Sequence, residues 1–142
     1  MKALLHAVLN SPEFSAAGTY RSLVKSPIEL MVHTARAIGR PSLSKLIVSA
    51  GGGMGQTLFD PPDVGGWPNN ESWISSSTVI ERVNFVTAAL AQVPGSLPSS
   101  AYSAAHHLDG IVGTQTASLF NQATDERTRW FIALASTEFQ LK

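Results

Sequence analysis

The chain has 142 residues, of which 44% are hydrophobic and 14% are charged, a length and composition that suit one soluble domain with a buried core. Ten basic and ten acidic residues cancel, so we do not expect the broad positive field by which proteins bind nucleic acids. The absence of cysteine excludes disulfides, thiolate nucleophiles and cysteine-based zinc sites.

The N-terminal stretch predicts a short helix. Residues 2–10 repeat apolar side chains at helical spacing, and Pro12 is predicted to end this helix near Asn10. No small-residue cleavage pattern follows the apolar run, so we do not expect a signal peptide. No stretch of the chain approaches the roughly 18 apolar residues of a transmembrane helix, so no transmembrane segment is predicted.

A second helix has the clearest boundaries in the chain. Ser26 and Glu29 are spaced as a capping box, and Pro27 occupies the first helical position. Gly39 provides a stop. The sequence therefore predicts a helix over 27–38.

Weaker signals predict the remaining helices. Ser42 is placed to cap a helix through Ala50, although the three glycines at 51–53 weaken its continuation. Thr78 and Glu81 form a second candidate capping box. The later helices are predicted at 78–92, 115–122 and 126–135, the last of them starting at Asp125. Because strand signals are scarce, we predict an all-α fold, an irregular bundle of short helices.

Residues 57–77 form a long segment without helical periodicity. The segment contains three prolines, two glycines and two tryptophans. Such segments inside compact domains are commonly packed Ω-loops or functional loops. We therefore predict one long ordered loop, pinned to the helices by Phe59, Val64, Trp67, Trp73 and Ile74.

The same loop is the leading candidate for a contact surface. Trp67 and Trp73 offer flat apolar faces beside the hydrogen-bonding groups of Asp60, Asp63, Asn69 and Asn70. Such a mixture suits a protein or glycan partner. The alternative is that both indoles anchor the loop to the core. The acidic residues lack the spacing of a calcium loop, and we predict no metal site.

A second candidate site combines histidines with carboxylates. Glu29, His33 and Arg36 are spaced to share one face of the 27–38 helix, and His107 lies close to Asp109 in sequence. An imidazole oriented by a carboxylate can act as a general base, which favours a hydrolase. The alternative is an ordinary solvated polar face.

Arg21 and Lys25, just before this helix, are candidates to bind a partner or to pair with a nearby acid. Adjacent His106 and His107 would point in different directions, so we do not expect them to share a metal ion. The glycine-rich run at 51–55 lacks the ending of a phosphate loop. No cofactor is therefore predicted.

A short pattern, Ser-x-Glu-Phe, occurs at 11–14 and again at 136–139. We expect the serine or glutamate of each copy to satisfy exposed backbone groups at a helix end, and the phenylalanine to fold back as a plug.

Four stretches stand out as motifs: LNSPEF at 9–14, KSPIE at 25–29, GQTLFDPPDVGGWP at 55–68 with Trp73, and LASTEFQ at 134–140. In their order and spacing they resemble the C-terminal region of the bacterial DUF1800 family of unknown function. The proline-rich stretch ending in Gly-Trp-Pro is the most specific of the four. The resemblance covers essentially the whole chain.

The resemblance implies a bacterial origin and, often, export to the periplasm or the extracellular space, but no established activity. Because family members are usually far longer, residues 1–142 are expected to form a single helical domain, the C-terminal portion of a longer family domain. The sequence favours a binding or assembly module that uses the Trp-rich loop, with homodimerisation as one form of assembly. A hydrolase, or a fragment of one, is the alternative.

Overall fold

The computed structural model describes residues 1–98 and 107–142, so His106 lies outside the described residues. Within these ranges, seven α-helices and no β-strand are present, which confirms the all-α prediction. The helices are α1 (Lys2–Leu9), α2 (Pro27–Ala37), α3 (Ser44–Gly53), α4 (Ser76–Ala91), α5 (Thr114–Gln122), α6 (Glu126–Ala135) and α7 (Thr137–Gln140). None of the described helices is long and apolar enough to cross a bilayer.

The start of α2 is the predicted capping box. The Ser26 hydroxyl accepts a hydrogen bond from the Glu29 amide at 3.3 Å, and the Glu29 carboxylate accepts one from the Ser26 amide at 2.8 Å. Pro27, at the first helical position, has no amide hydrogen that would need a partner there. The helix ends at Ala37, and Gly39 follows with a φ of +67°.

Two other predicted caps are wrong. Ser75, not Thr78, caps α4: the Ser75 hydroxyl accepts from the Thr78 amide at 3.2 Å, and the Thr78 hydroxyl accepts from the Ser75 amide at 2.9 Å. The serine-rich run therefore supplies a cap earlier than the predicted Thr78–Glu81 pair. Ser42 lies in a 3₁₀ turn, Pro41–Leu43, that precedes α3 and does not cap it.

The end of α3 is fixed by a close approach of the backbone. The Gln56 amide donates to the Gly51 carbonyl at 2.8 Å, and a Cβ on Gly51 would lie 2.6 Å from the Gln56 carbonyl oxygen. Only glycine fits this position without displacing the chain. The Gln56 side chain also accepts from the Ile28 amide at 3.0 Å. These contacts tie the end of α3 to the start of α2.

The hydrophobic core lies between α2, α3, α4 and α6. Trp130 of α6 is fully buried, and its indole N–H donates to the Pro98 carbonyl at 2.8 Å. Phe139 of α7 is also fully buried. Other apolar side chains of this core include Leu30, Met31, Leu43, Met54, Phe85, Leu108 and Leu134.

The last residues pair with the segment that leads into α2. The Leu23 and Lys142 backbones exchange two hydrogen bonds, of 3.3 and 2.8 Å, around an isolated antiparallel bridge between Val24 and Leu141. This pairing places the end of the chain beside α2.

Arg82 of α4 holds this pairing from inside the molecule. Its side chain is 2% exposed and donates to the Lys25 carbonyl at 2.9 Å and to the Gln140 side-chain oxygen at 3.0 Å. The Lys25 amide in turn donates to the Gln140 carbonyl at 2.8 Å. Among residues 1–98 and 107–142, no carboxylate pairs with Arg82. A buried arginine therefore connects α4 to both paired segments.

Both copies of Ser-x-Glu-Phe cap a short helix. The Ser11 and Ser136 hydroxyls accept from the amides of Phe14 and Phe139, at 3.3 and 3.2 Å. The expected phenylalanine plug is confirmed for Phe139, whereas Phe14 is 54% exposed. The difference arises because Phe14 follows α1, and no residue of α1 is buried.

The long ordered loop predicted over 57–77 is not confirmed. A 3₁₀ turn, Asn70–Trp73, and the start of α4 at Ser76 shorten it. Trp73 is buried, but Phe59 is 94% exposed and Val64 is fully exposed, so the expected anchoring by these two side chains is wrong. They lie on either side of Pro61-Pro62, which lacks amide donors for pairing with the bundle.

We predict that Arg82→Ala destabilises the protein by about 2 kcal/mol or more, because the buried Lys25 carbonyl loses its charged donor. Chemical denaturation followed by circular dichroism measures this loss. The control is Arg40→Ala, because the Arg40 side chain donates a long hydrogen bond, 3.4 Å, to the Pro94 carbonyl. Equal stability of the two variants would contradict the role given to Arg82.

Candidate functional site

A cleft of about 850 Å³ opens between α2, the segment before it and the C-terminal residues. Four cationic side chains, two carboxylates and two histidines line it: Arg21, Lys25, Arg36, Lys142, Glu29, Asp109, His33 and His107. We call this site the basic cleft. It brings together all four predicted catalytic candidates and both predicted upstream cations.

Both carboxylates of the basic cleft are paired with cations. Asp109 accepts from Arg21 at 2.7 Å, and this hydrogen bond lowers the pKa of the Asp109 carboxyl. Burial tends to raise the pKa of Glu29, but hydrogen bonds from Lys142 and from the Ser26 amide outweigh burial and lower it. Both groups are therefore ionised at neutral pH, and their charge is already compensated.

His33 is held neutral. Burial, followed by the charge of Lys25, lowers the pKa of the His33 imidazole to about 4. Its ring lies 5.4 Å from the His107 ring and 4.6 Å from the Phe139 ring, between centroids. Within residues 1–98 and 107–142, no hydrogen bond or ion pair joins His33 to a carboxylate. The predicted pairing of His33 with Glu29 is therefore absent from the described part of the chain.

Lys25 and Arg36 are the cleft cations without a carboxylate partner in the described ranges. The Lys25 ammonium donates to the Phe139 carbonyl at 2.6 Å and lies 4.3 Å from the centre of the Phe139 ring. Burial and the neighbouring charge of Arg21 lower the pKa of Lys25 to about 8. Arg36 is exposed at the cleft. In the described ranges, neither charge is neutralised by a carboxylate.

A second cavity of about 490 Å³ adjoins the basic cleft. Its lining includes four predicted binding residues, Trp67, Asn69, Asn70 and Trp73. Glu29 and Lys142 line both cavities, so their ion pair lies at the border between them. We call this second site the tryptophan cavity.

The two tryptophans have different surroundings. Trp73 is 4% exposed, as expected of an anchoring residue. Trp67 is half-buried, and its buried indole nitrogen has no hydrogen-bond partner among the described residues. Asn70 contributes to the framework, because its side-chain oxygen accepts from the Val24 amide at 2.8 Å.

The predicted acidic residues Asp60 and Asp63 lie outside both cavities. Both are exposed, and Asp63 accepts from the nearby Gly65 amide at 2.6 Å. In the part of the chain that the structure describes, no group of three or more His, Asp or Glu side chains is arranged to hold a metal ion.

Lys142 and Tyr20 are cleft residues that the sequence analysis missed. Lys142 reaches Glu29 through the pairing of residues 140–142 with residues 23–25, and the Tyr20 hydroxyl lies 3.4 Å from the Asp109 carboxylate. Both contacts span more than 80 residues of sequence. No local pattern could have revealed them.

The family model described as "Protein of unknown function (DUF1800)" matches residues 1–141. The chain belongs to the DUF1800 family. No curated protein and no solved structure matches it. Three of the four stretches that carry the DUF1800 resemblance, at 25–29, 55–68 and 134–140, meet around the N-terminus of α2, through the contacts of Gln56, Lys25 and Phe139.

Acidification should destabilise the protein through His33. The pKa of His33 is about 4 in the folded protein, below the ordinary histidine value of about 6.5, so the unfolded chain binds a proton at higher pH than the folded chain does. The contribution of His33 to stability is present above about pH 6.5 and is lost as the pH falls toward 4, by an amount on the order of 1 kcal/mol after allowance for solvent screening of the partly exposed ring. Urea denaturation at pH 6.5 and 4.5 measures the loss.

His33→Gln should reduce this pH dependence, whereas His6→Gln, at an exposed position of α1, should retain it. If His33→Gln kept the full dependence, the neutral state of His33 would be refuted.

Replacing each tryptophan by alanine should show which of the two side chains stabilises the core. Trp73→Ala is expected to cost about 3–5 kcal/mol in the free energy of unfolding, because a large buried side chain is removed. Trp67→Ala, at a half-buried position, is expected to cost about half of that or less. Similar losses, measured by chemical denaturation, would show that Trp67 is a core residue as well.

Proposed function

We propose that this DUF1800 protein is a binding module that takes a small anionic ligand, bearing a carboxylate or a phosphate, in the basic cleft. The observation that carries the proposal is the imbalance of charge: four cations and two carboxylates line the cleft, and both carboxylates are already paired. A concave site with a few convergent charged donors is the ordinary form of a small-ligand site.

The cations of the cleft are suited to an anion because they are held in place before it binds. Arg21 donates to the Glu138 carbonyl at 2.6 Å as well as to Asp109, and Lys25 donates to the Phe139 carbonyl. Groups fixed by the fold lose little conformational freedom on binding. Arg36 adds a guanidinium that can donate two parallel hydrogen bonds to a carboxylate or phosphate.

The low pKa of His33 supports the same proposal. Burial and neighbouring positive charges hold this imidazole neutral, so the cleft resists a further cation. An anion placed among Lys25, His33 and Arg36 would relieve that repulsion and raise the pKa of His33.

A hydrolase receives less support from the same geometry. General-base catalysis by a histidine normally uses a carboxylate to orient the imidazole. The carboxylates of the cleft, Glu29 and Asp109, are instead paired with Lys142 and Arg21. The two histidines lie together, but His33 lacks such a partner in the described ranges.

The Trp-rich segment supports a second binding role. Phe59 and Val64 are exposed on it, and Trp67 and Asn69 line the adjoining tryptophan cavity. Exposed apolar side chains beside polar groups suit a protein or glycan partner. This contact surface, like homodimerisation and export, stays a prediction.

Calorimetric titration with inorganic phosphate, and separately with acetate, tests the anion site at pH 7 and low ionic strength. We expect at least one anion to bind, and Arg36→Gln to weaken its binding about tenfold through loss of a charged donor. The preferred anion identifies the ligand chemistry.

Lys45→Gln is the matched control, because Lys45 is exposed on α3 and does not line the basic cleft. It removes the same charge from the chain and should leave the affinity unchanged. Equal weakening by both variants would mean that the anion responds to overall charge, and no binding of either anion would refute the proposal.

A further inference from the structure

Lys25 occupies an unusual position for a lysine. Its side chain lines the basic cleft although the residue is only 7% exposed, and its ammonium is held between the Phe139 carbonyl and the Phe139 ring. Among the described residues, no carboxylate pairs with it. Lysines are rarely this buried without a paired acid.

The surroundings of Lys25 favour its neutral amine. Burial and the nearby Arg21 guanidinium both disfavour the ammonium, and the pKa of Lys25 is lowered to about 8. At pH 7.5 about a quarter of the Lys25 side chains would then be neutral, against about one in a thousand for an ordinary lysine. A desolvated lysine next to another cation is a known arrangement for an amine nucleophile.

We propose that Lys25 forms a reversible imine with an aldehyde or ketone that carries a carboxylate or phosphate group. This inference rests on the proposed function, because the cleft cations would hold the anionic group while the carbonyl reaches the amine. Arg36 and Lys25 line the same cleft, so one small molecule can engage both.

The step needs no oxidant or reductant. The Lys25 nitrogen lone pair attacks the carbonyl carbon, a C–N bond forms, and the C=O π electrons move to oxygen. One of the two amine protons moves from nitrogen to that oxygen and gives a neutral carbinolamine. The second amine proton then moves to the same oxygen, the C–O bond breaks, water leaves, and the nitrogen electron pair forms the C=N bond. The neutral imidazole of His33, which lines the same cleft, can carry the proton from nitrogen to oxygen. Amine and carbonyl give imine and water.

The test is reductive trapping on the full chain. Glyoxylate, an aldehyde with a carboxylate, is added with cyanoborohydride, and the modified lysine is located by peptide mass spectrometry. We expect Lys25 to be labelled about tenfold faster than the exposed Lys45 at pH 7.5. Labelling of Lys25 no faster than that of Lys45 would overturn the inference, and this comparison requires no variant that might fail to fold.

Charge-retaining variants and a competing anion, phosphate, provide further controls. Lys25→Arg keeps the cation but should abolish labelling at this position, while Lys45→Arg should leave labelling of Lys25 unchanged. Excess phosphate should slow labelling of Lys25 and not that of Lys45. If phosphate had no such effect, anion-directed imine formation would be overturned.

Failure of this inference and failure of the proposed function give different results. Phosphate or acetate binding by calorimetry, without preferential labelling of Lys25, would overturn the imine and leave the anion site. Rapid labelling of Lys25 by propionaldehyde and glyoxylate alike, with no anion binding, would overturn both the anion site and the stated ligand class.

Discussion

Two buried cations, Lys25 and Arg82, hold the C-terminal segment against the rest of the molecule. Lys25 donates to the Phe139 carbonyl, and Arg82 donates to the Lys25 carbonyl and to the Gln140 side chain. Burying a charge is costly unless strong hydrogen bonds compensate it, so these contacts are demanding in geometry. They fix Phe139 in the core and bring Lys142 to Glu29. These contacts therefore hold in place the C-terminal residues that line the basic cleft, Leu141 and Lys142.

The same arrangement links stability to the properties of the site. A carboxylate beside Lys25 would stabilise its ammonium, but it would also neutralise the cleft. The Phe139 carbonyl oxygen accepts from Lys25 without supplying a full negative charge, so the charge of the ammonium is not neutralised there. Burial is the main cause of the lowered pKa values of Lys25 and His33, and the positive charges nearby add to it.

The parts of the fold that could be predicted from sequence are those set by neighbouring residues. The capping box of Ser26 and Glu29 is such a case. The site was predictable only as separate pieces, since Glu29 and His33 share a helix whereas Asp109 reaches Arg21 across 88 positions. The burial of Arg82 could not be predicted from the neighbouring residues, because the apolar pattern of α4 predicts an amphipathic helix with or without a buried arginine. The exposure of Phe59 was missed because apolar character alone does not decide which side chains of an irregular segment reach the core.

The bridge between Val24 and Leu141 joins positions that are separated by most of the chain. Closing so long a loop costs conformational entropy that only completed packing can offset, so this contact belongs among the last to form during folding. The basic cleft lies at that junction. A partly synthesised or C-terminally clipped chain could retain much of its helical content and still have no cleft. Helical content is therefore a poor measure of whether the basic cleft has formed, and the pairing of residues 140–142 with residues 23–25 is the better one.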